Sequence, residues 1–561
     1  MGADDGHPPA AGLGKLGEKL GNLARPSEVT PLRQNGDGSK ATMLKAPISW
    51  ARALSRRLSW QYLASVVIAH HLLKGVVAGG GDEGLIGKPV EFLLGAQHIP
   101  AARLQALISV GATAPWVLKP LIGFLSDTVP ILGYRKRYYL VIMTALAAGA
   151  VGGLGFHLAM EPWTIVVCLF FASLQVAGGT LLVEAKLSQV AKEHAELGPE
   201  IVAFKETCMN SGMIMSALIA GPLIWYAGAR APYLLALPLV LTMLVIPMGN
   251  WLQEERLAAE EDRIELASIR ANPFLFALGI LLLPLLLMLA CGSAVHMSQH
   301  TLTCLAIVAT VIVVGGYWVL IRPEISGPMM FYFIFRCMNL QINGALFYFL
   351  TDAAAAFPEG PHFSSFFYVS CITSVAIAGR MIGFMTAKDL FGQWHYRSSM
   401  LATVPLVACT QLLLVPLLLR WNVALGVQDS TWVLGWTFVD MVARGWRQFP
   451  FSVLLLQTTP RGLEASSLAL NSGAVNFGMT LSFFFGSYAL HHFNVRPTGD
   501  LAESAAFGSL WKVQAIVAVL PLAVLPLAGF FLPHGKQVDA LITENPTSAT
   551  HGAPVTRCCG V

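Results

Sequence analysis

Fourteen stretches of about twenty apolar residues recur along this chain, and no other feature constrains its fold as strongly. They fall at about 61–80, 103–125, 138–158, 163–183, 205–226, 233–251, 273–291, 301–321, 328–350, 364–387, 398–419, 432–456, 465–490 and 509–532. A helix of that length crosses the hydrocarbon core of a bilayer. Inside lipid the backbone must bond to itself, as a helix does. Composition agrees, with 12% charged residues against about 25% in soluble domains. The expected class is therefore an all-α polytopic membrane protein of about 14 transmembrane helices, with the lipid bilayer as its first partner. A formal net charge of +4 over 561 residues argues for no nucleic-acid partner.

Lysine and arginine fix the orientation. The loops at 126–137, 184–206, 253–272, 322–327, 388–397 and 457–464 carry about thirteen, and the opposite loops about five. The positive-inside bias places the first set in the cytoplasm, with both termini. The group Arg52, Arg56 and Arg57 before the first span agrees. Residues 1–57 read as a disordered cytoplasmic tail, rich in Gly, Pro and charge. Met1-Gly2 suggests myristoylation, but Gly6 stands where Ser or Thr is wanted. Residues 534–561 read as a second cytoplasmic tail, where Cys558-Cys559 are candidates for palmitoylation or a chance pair.

The first basic loop has a composition of its own. The second span passes Pro115-Trp116 and Lys119-Pro120, then leaves the membrane through Gly123 and Asp127. Pro130 and Gly133 turn the chain into Arg135-Lys136-Arg137, and the third span follows at once. Asp127 is within reach of those cations and, by placement, of the next helix N-terminus, where a carboxylate is favoured. Lys119, Gly123, Asp127, Gly133 and Arg135 are thus candidates for a conformational latch. The alternative is an ordinary cytoplasmic loop obeying the charge rule.

These residues resemble the signature of the folate/biopterin transporter family, a branch of the major facilitator superfamily. The resemblance rests on Pro115-Trp116, Lys119-Pro120, Gly123, Ser126-Asp127, Pro130 and Gly133-Tyr134-Arg135. A second block, Pro460-Arg-Gly462-Leu-Glu464-Ala465 with Asn471 and Asn476-Phe477-Gly478, is similar to the family's late motif. Gly360-Pro-His-Phe363 resembles protozoan members. The likeness covers about residues 60–530. It implies a major-facilitator-like fold and transport of folate, biopterin or a related metabolite, with protons as the coupling ion. It leaves open another cargo such as S-adenosylmethionine.

In that superfamily two six-helix halves flank a charged linker. The chain then divides into a half at 58–252, a linker at 253–272, an inserted helix pair at 273–321, and a second half at 322–533. A faint repeat supports parallel duplication: Ile122-Gly-Phe-Leu-Ser126 recurs as Ile382-Gly-Phe-Met-Thr386. The inserted pair lacks Lys, Arg, Asp and Glu, so it is expected to lie outside the transport path.

Ionisable groups at membrane depth are functional candidates because each is costly there. The twelfth span carries Asp440, Arg444 and Arg447, the first two sharing a helical face. Arg336 and Arg380 lie in the ninth and tenth spans, and Asp352 ends the ninth. These six are the candidate substrate-binding residues, with an internal ion-pair lock as the alternative. A pteridine edge suits a carboxylate, and folate carboxylates suit arginine forks. Phe331, Tyr332, Phe335, Phe347 and Tyr348 could stack on a ring or serve packing. His70, His71 and Lys74 lie deep in the first span, the histidines as proton relay or helix contacts. Glu184, Lys186, Glu206 and Lys388 near span ends are expected to snorkel to the interface. No P-loop, nucleophile motif, cofactor motif or metal-ligand spacing is present, so the chain does not read as an enzyme. The rival class is a non-transporting receptor or scaffold, to which costly buried charge is of no use. The remaining expectations are a monomer in the plasma membrane and a small-molecule substrate with a coupling proton.

Overall fold

The computed structural model describes residues 54–537 apart from 56–57, 82, 194–197, 258–269, 271–272, 322 and 458–463. Pro460, Gly462, most of the charged linker, the basic group before the first span and Cys558-Cys559 lie outside the described residues. So does the side chain of Glu464. The described regular structure is helical, with only two isolated β-bridges, Ile131–Tyr134 and His395–Lys536.

Helix α1 (Trp60–Val66) starts at Ser59, whose hydroxyl accepts from the Tyr62 amide, and continues as a π-helix over Val67–Val77. A short α2 (Lys88–Gly95) follows. Next come α3 (Ala101–Thr128), α4 (Arg137–Phe156), α5 (Pro162–Glu193), α6 (Gly198–Ala227) and α7 (Ala231–Met248). The inserted pair is α8 (Pro273–Ala294) and α9 (Gln299–Leu320), the latter capped by Ser298. Then α10 (Pro323–Met338) and α11 (Asn343–Thr351) form one interrupted span. The rest are α12 (Phe367–Phe391), α13 (Tyr396–Leu418), α14 (Asp429–Gln457), α15 (Glu464–His492) and α16 (Ser504–Phe531). Ten of these are long and apolar enough to cross a membrane. The expected spans at α1, α10–α11, α14 and α15 are not among the ten. They are the ones carrying Lys74, the break, the Asp440–Arg447 charges or runs of Ser and Asn.

Small residues set the closest packing, as in membrane helices generally. The π-helix of α1 lies on α6, where the Cα atoms of Gly75 and Gly212 leave no room for a side chain at either position. Gly383 of α12 lies directly against the Val442 carbonyl of α14, whereas Gly123 of α3, at the matching place in the sequence, makes only ordinary contact with the Leu181 side chain of α5. Helices α1 and α3–α7 pack on one another, as do α10–α16. The two groups meet mainly where α3 packs on α15 and α6 on α12.

One buried glutamine ties the groups at the end of α3 that opens toward α2. Gln105 Nε2 donates to the carbonyls of Gln341 (3.0 Å) and Phe483 (3.1 Å) and to Ser487 Oγ (3.0 Å). Its oxygen accepts from the Gly344 amide. At the other end of α3, Asn476 Nδ2 reaches the Trp116 carbonyl at 3.4 Å. The inserted pair packs against both groups. Phe276 stacks on Phe124 at 4.1 Å, and the Tyr317 hydroxyl donates to Asn471 Oδ1 at 3.3 Å. Its far side exposes Ile307, Val311 and Val319.

Candidate functional site

The span α10–α11 is interrupted at Asn339–Ile342, near its middle. Irregular backbone at such depth is tolerated where it lines a polar cavity. Here it borders a cavity of about 40 Å³ with Asn339, Gln341, Asn343, Gln411, Gln514 and Arg444 on its walls. The sequence analysis did not single out this break. Its signal was present: Asn339, Gln341 and Asn343-Gly344 crowd polar side chains and a glycine into an apolar span.

Helix α14 supplies the charge beside that break. Asp440 is fully buried and accepts from Arg444 Nε at 2.7 Å and from Thr410 Oγ1 at 2.8 Å. Arg447 is 8% exposed, with its guanidinium 5.0 Å above the Phe335 ring. Arg336, Arg444 and Asp440 are all close enough for their charges to act on Arg447. Among the described residues Arg444 alone is within ion-pair distance of Asp440; Arg447 lies near that pair, with Arg336 close to Arg447. Arg336 Nε is buried without a hydrogen-bond partner among the described residues. Gln448 and Tyr332 hydrogen-bond each other next to this set, and Tyr332 stacks on Phe451 at 4.1 Å. Phe331, Tyr332 and Phe335 are all buried in this cluster.

The other two expected binding residues lie elsewhere. Asp352 caps the far end of α11 and lines a separate cavity of about 650 Å³ with Gly95, His98, Phe347, Tyr348 and His362. Burial pushes its carboxyl up to about 7, Glu503 adds to the rise, and His362 opposes it. Arg380 is exposed and donates to Met213 Sδ of α6 at 3.5 Å, bridging the two helix groups. No residue of α8 or α9 lines either cavity.

A second charged group sits among α1, α3, α5 and α6. Glu184 Oε1 lies 3.6 Å from Lys205 Nζ, 3.8 Å from Lys74 Nζ and 3.9 Å from His70 Nε2. Glu184 is turned into the bundle among these cations rather than snorkelling outward. Lys119, expected in the latch, is buried instead beside this group, its ammonium 4.9 Å above the Trp116 ring. His71 Nδ1 is 3.0 Å from both the Cys208 carbonyl and Ser211 Oγ, a helix contact between α1 and α6.

The basic loop folds as a two-residue turn. Ile131 and Tyr134 exchange backbone hydrogen bonds across Leu132 (φ 54°) and Gly133 (φ 82°). Two successive positive φ angles suit glycine at the second position. The amides of Arg135, Lys136 and Arg137 all donate to the Glu254 carboxylate, at 2.6, 2.8 and 3.0 Å. A carboxylate is favoured at the start of α4 because those amides lack helical partners. Sequence placement pointed to Asp127 for this position; the residue that takes these amides is Glu254, from the chain after α7. Asn250 holds it there through reciprocal side-chain bonds with the Glu254 backbone. Asp127 is exposed on α3, and its charge acts on Lys136. Burial lowers the Lys136 ammonium below its usual range, with Asp127 and Glu254 opposing that shift. The loop thus joins α3, α4 and the start of the linker.

With this geometry established, comparison with known proteins gives a consistent result. The BT1 family model matches residues 82–551. Probable folate-biopterin transporter 2 of Arabidopsis thaliana is 22% identical over 506 residues, covering 90% of this chain and 89% of that protein. The folate-biopterin transporter of Synechocystis is 25% identical over 506 residues, covering 88% and 86%. Among solved structures, an auto-inhibited POT family peptide transporter superimposes with TM-score 0.59 at 12% identity, covering 86% of this chain and 98% of that one. A nucleoside transporter gives 0.53 at 13%, covering 83% and 98%. The fold is that of a multi-pass, major-facilitator-like membrane transporter, and the chain is not an enzyme. The chain belongs to the BT1 family.

Proposed function

We propose that this protein is a secondary active transporter of folate, biopterin or related pteridines, coupled to protons and working by alternating access. The observation that carries the reading is the buried Arg444–Asp440 pair beside a broken span, with Arg447 and Arg336 adding positive charge next to it. Family membership and the names of the relatives supply the solute class. An anionic group of the solute reaching Arg444 competes with Asp440 for the guanidinium. Asp440, so released, accepts the pyrimidine N–H edge of the ring or takes the coupling proton. Charge-assisted forks of this kind are strong and directional. The excess of guanidinium disfavours a cationic cargo such as S-adenosylmethionine. Buried charge on this scale is also unexpected in a scaffold.

On this reading, helices of the regions 58–252 and 322–533 form the two rocking halves, and the inserted pair at 273–321 stays peripheral, giving fourteen spans. The Asp127–Arg135 loop is the latch that differs between states. We place the protein in the plasma membrane as a monomer with both termini cytoplasmic. Uptake of labelled folate, biopterin and S-adenosylmethionine into cells expressing the chain tests the reading. Accumulation of either pteridine above mock-transfected cells supports it. Uptake of S-adenosylmethionine alone, or of none, refutes it.

A further inference from the structure

We propose that the lysine cluster among α1, α3, α5 and α6 is an anion subsite that holds a carboxylate of the transported solute. The argument begins with charge. Lys74, Lys119 and Lys205 bring three ammoniums together, and Glu184 is the one carboxylate among the described residues that lies near all three. Glu206, which also pairs with Lys205 at 3.3 Å, is 46% exposed and faces outward. Lys119 is 5% exposed and has no carboxylate within ion-pair distance among the described residues; its contact is the face of Trp116. An excess of buried positive charge at span depth is costly unless an anion or water meets it.

The geometry allows a ligand to arrive. Glu184 holds its cations loosely, at 3.6 to 3.9 Å, with no short fork of the kind seen at Arg444–Asp440. Lys74, Lys205 and Glu184 remain 16%, 21% and 24% exposed, so the group is open on one side. His70 is fully buried, its ring nitrogens have no hydrogen-bond partner among the described residues, and its Nε2 lies 3.9 Å from Glu184 Oε1. These donors exceed what Glu184, with Glu206 on Lys205 alone, can satisfy, and a carboxylate of the solute completes them. The repeat adds a parallel: Lys74 and Glu184 lie on the first and fourth long helices of one group, as Arg336 and Arg444 do in the other.

This subsite rests on the transport reading only for the identity of the solute. It assigns the carboxylated tail of a folate-type pteridine to the lysines and leaves an uncharged pteridine without a partner there. The chain therefore binds the carboxylated member of the class more tightly than the uncharged one.

Binding to purified full-length protein in detergent tests the subsite. The probes are p-aminobenzoylglutamate, the anionic half of folate, and unsubstituted pterin. The wild type should bind p-aminobenzoylglutamate. Lys205→Gln and Lys74→Gln should each weaken it by about tenfold or more, the cost of losing one charged partner. Pterin affinity should not change, and Lys205→Arg should retain the anion. Glu184→Gln removes the competing carboxylate and should tighten it. No binding by the wild type, or full binding by Lys205→Gln, overturns the proposal. Equal weakening of both probes with a lowered unfolding temperature assigns the cluster to structure, and also overturns it. If the anionic half binds as described while pterin does not bind at all, the subsite stands and the pteridine reading fails.

Discussion

Replacing Asp440 by asparagine separates a binding site from a helix lock. Asp440 is fully buried, and both its oxygens are engaged, by Arg444 Nε at 2.7 Å and Thr410 Oγ1 at 2.8 Å. Asparagine keeps one acceptor for Thr410 but loses the charge that balances Arg444. Breaking a buried pair by removing one partner costs about 3–5 kcal/mol. Arg444 remains 28% exposed and borders the small cavity, so the lower end of that range, about 3 kcal/mol, is expected. Purified Asp440→Asn should unfold at a lower temperature in detergent than wild type and should transport poorly. Combining Asp440→Leu with Arg444→Leu removes both charges, and buried pairs so replaced often recover or exceed the original stability. The double variant should therefore regain its unfolding temperature yet fail to accumulate folate. A stable double variant with normal uptake would refute the reasoning, because the charges would then serve only to lock α14.

Three further expectations follow from the same structure. Glu254→Gln halves the acceptors offered to the three amides at the start of α4, at a cost of about 1–3 kcal/mol. With Asp127→Asn it should slow transport while equilibrium binding survives, which single-turnover uptake against a binding isotherm would show. Gln105→Leu strips donors from two carbonyls and a hydroxyl at the contact between α3, α11 and α15. The loss, about 1–3 kcal/mol per unsatisfied buried group, falls on the state described here. A Ser365→Cys reporter in the larger cavity should then react faster with a membrane-impermeant maleimide. Asp352 concerns pH: its carboxyl is pushed to about 7 from an ordinary value near 3.8, so it is neutral below about 7 and charged above. A raised carboxyl favours the folded state most below its ordinary value, and that contribution is lost as pH rises through about 7. For an anionic solute the KM should rise across that same pH, and Asp352→Asn should flatten the profile.

Much of the fold was legible because hydrocarbon imposes a length and a polarity on each passage. The charged positions were equally visible: Asp440, Arg444 and Arg447 share one helix, and their spacing of four and three residues places them together. What was not legible is convergence between helices. Lys74, Glu184 and Lys205 lie on three different passages; Glu184 alone reads as a side chain reaching for the interface, Lys74 as a group deep in the first span, and Lys205 does not stand out. Only the packing of α1 on α6, made close by Gly75 and Gly212, turns them toward one another. Asp352 and Arg380 illustrate the opposite error: similar depth along neighbouring spans did not bring them to the Asp440 cluster, because α11 continues to the far rim and α12 turns Arg380 toward α6. Glu254 was hidden for a further reason. It follows α7 in the chain, and nothing local signals that it returns to the amides of Arg135, Lys136 and Arg137.

Counterflow in proteoliposomes containing only this protein tests the central claim most directly. Vesicles preloaded with unlabelled folate or biopterin are diluted into a trace of the labelled solute, with no pH gradient imposed. The account gives a transient overshoot of label for a pteridine, abolished by Asp440→Leu with Arg444→Leu. It also gives net accumulation when the outside is made acidic. No overshoot with either pteridine, from protein that remains folded and monodisperse, would contradict it.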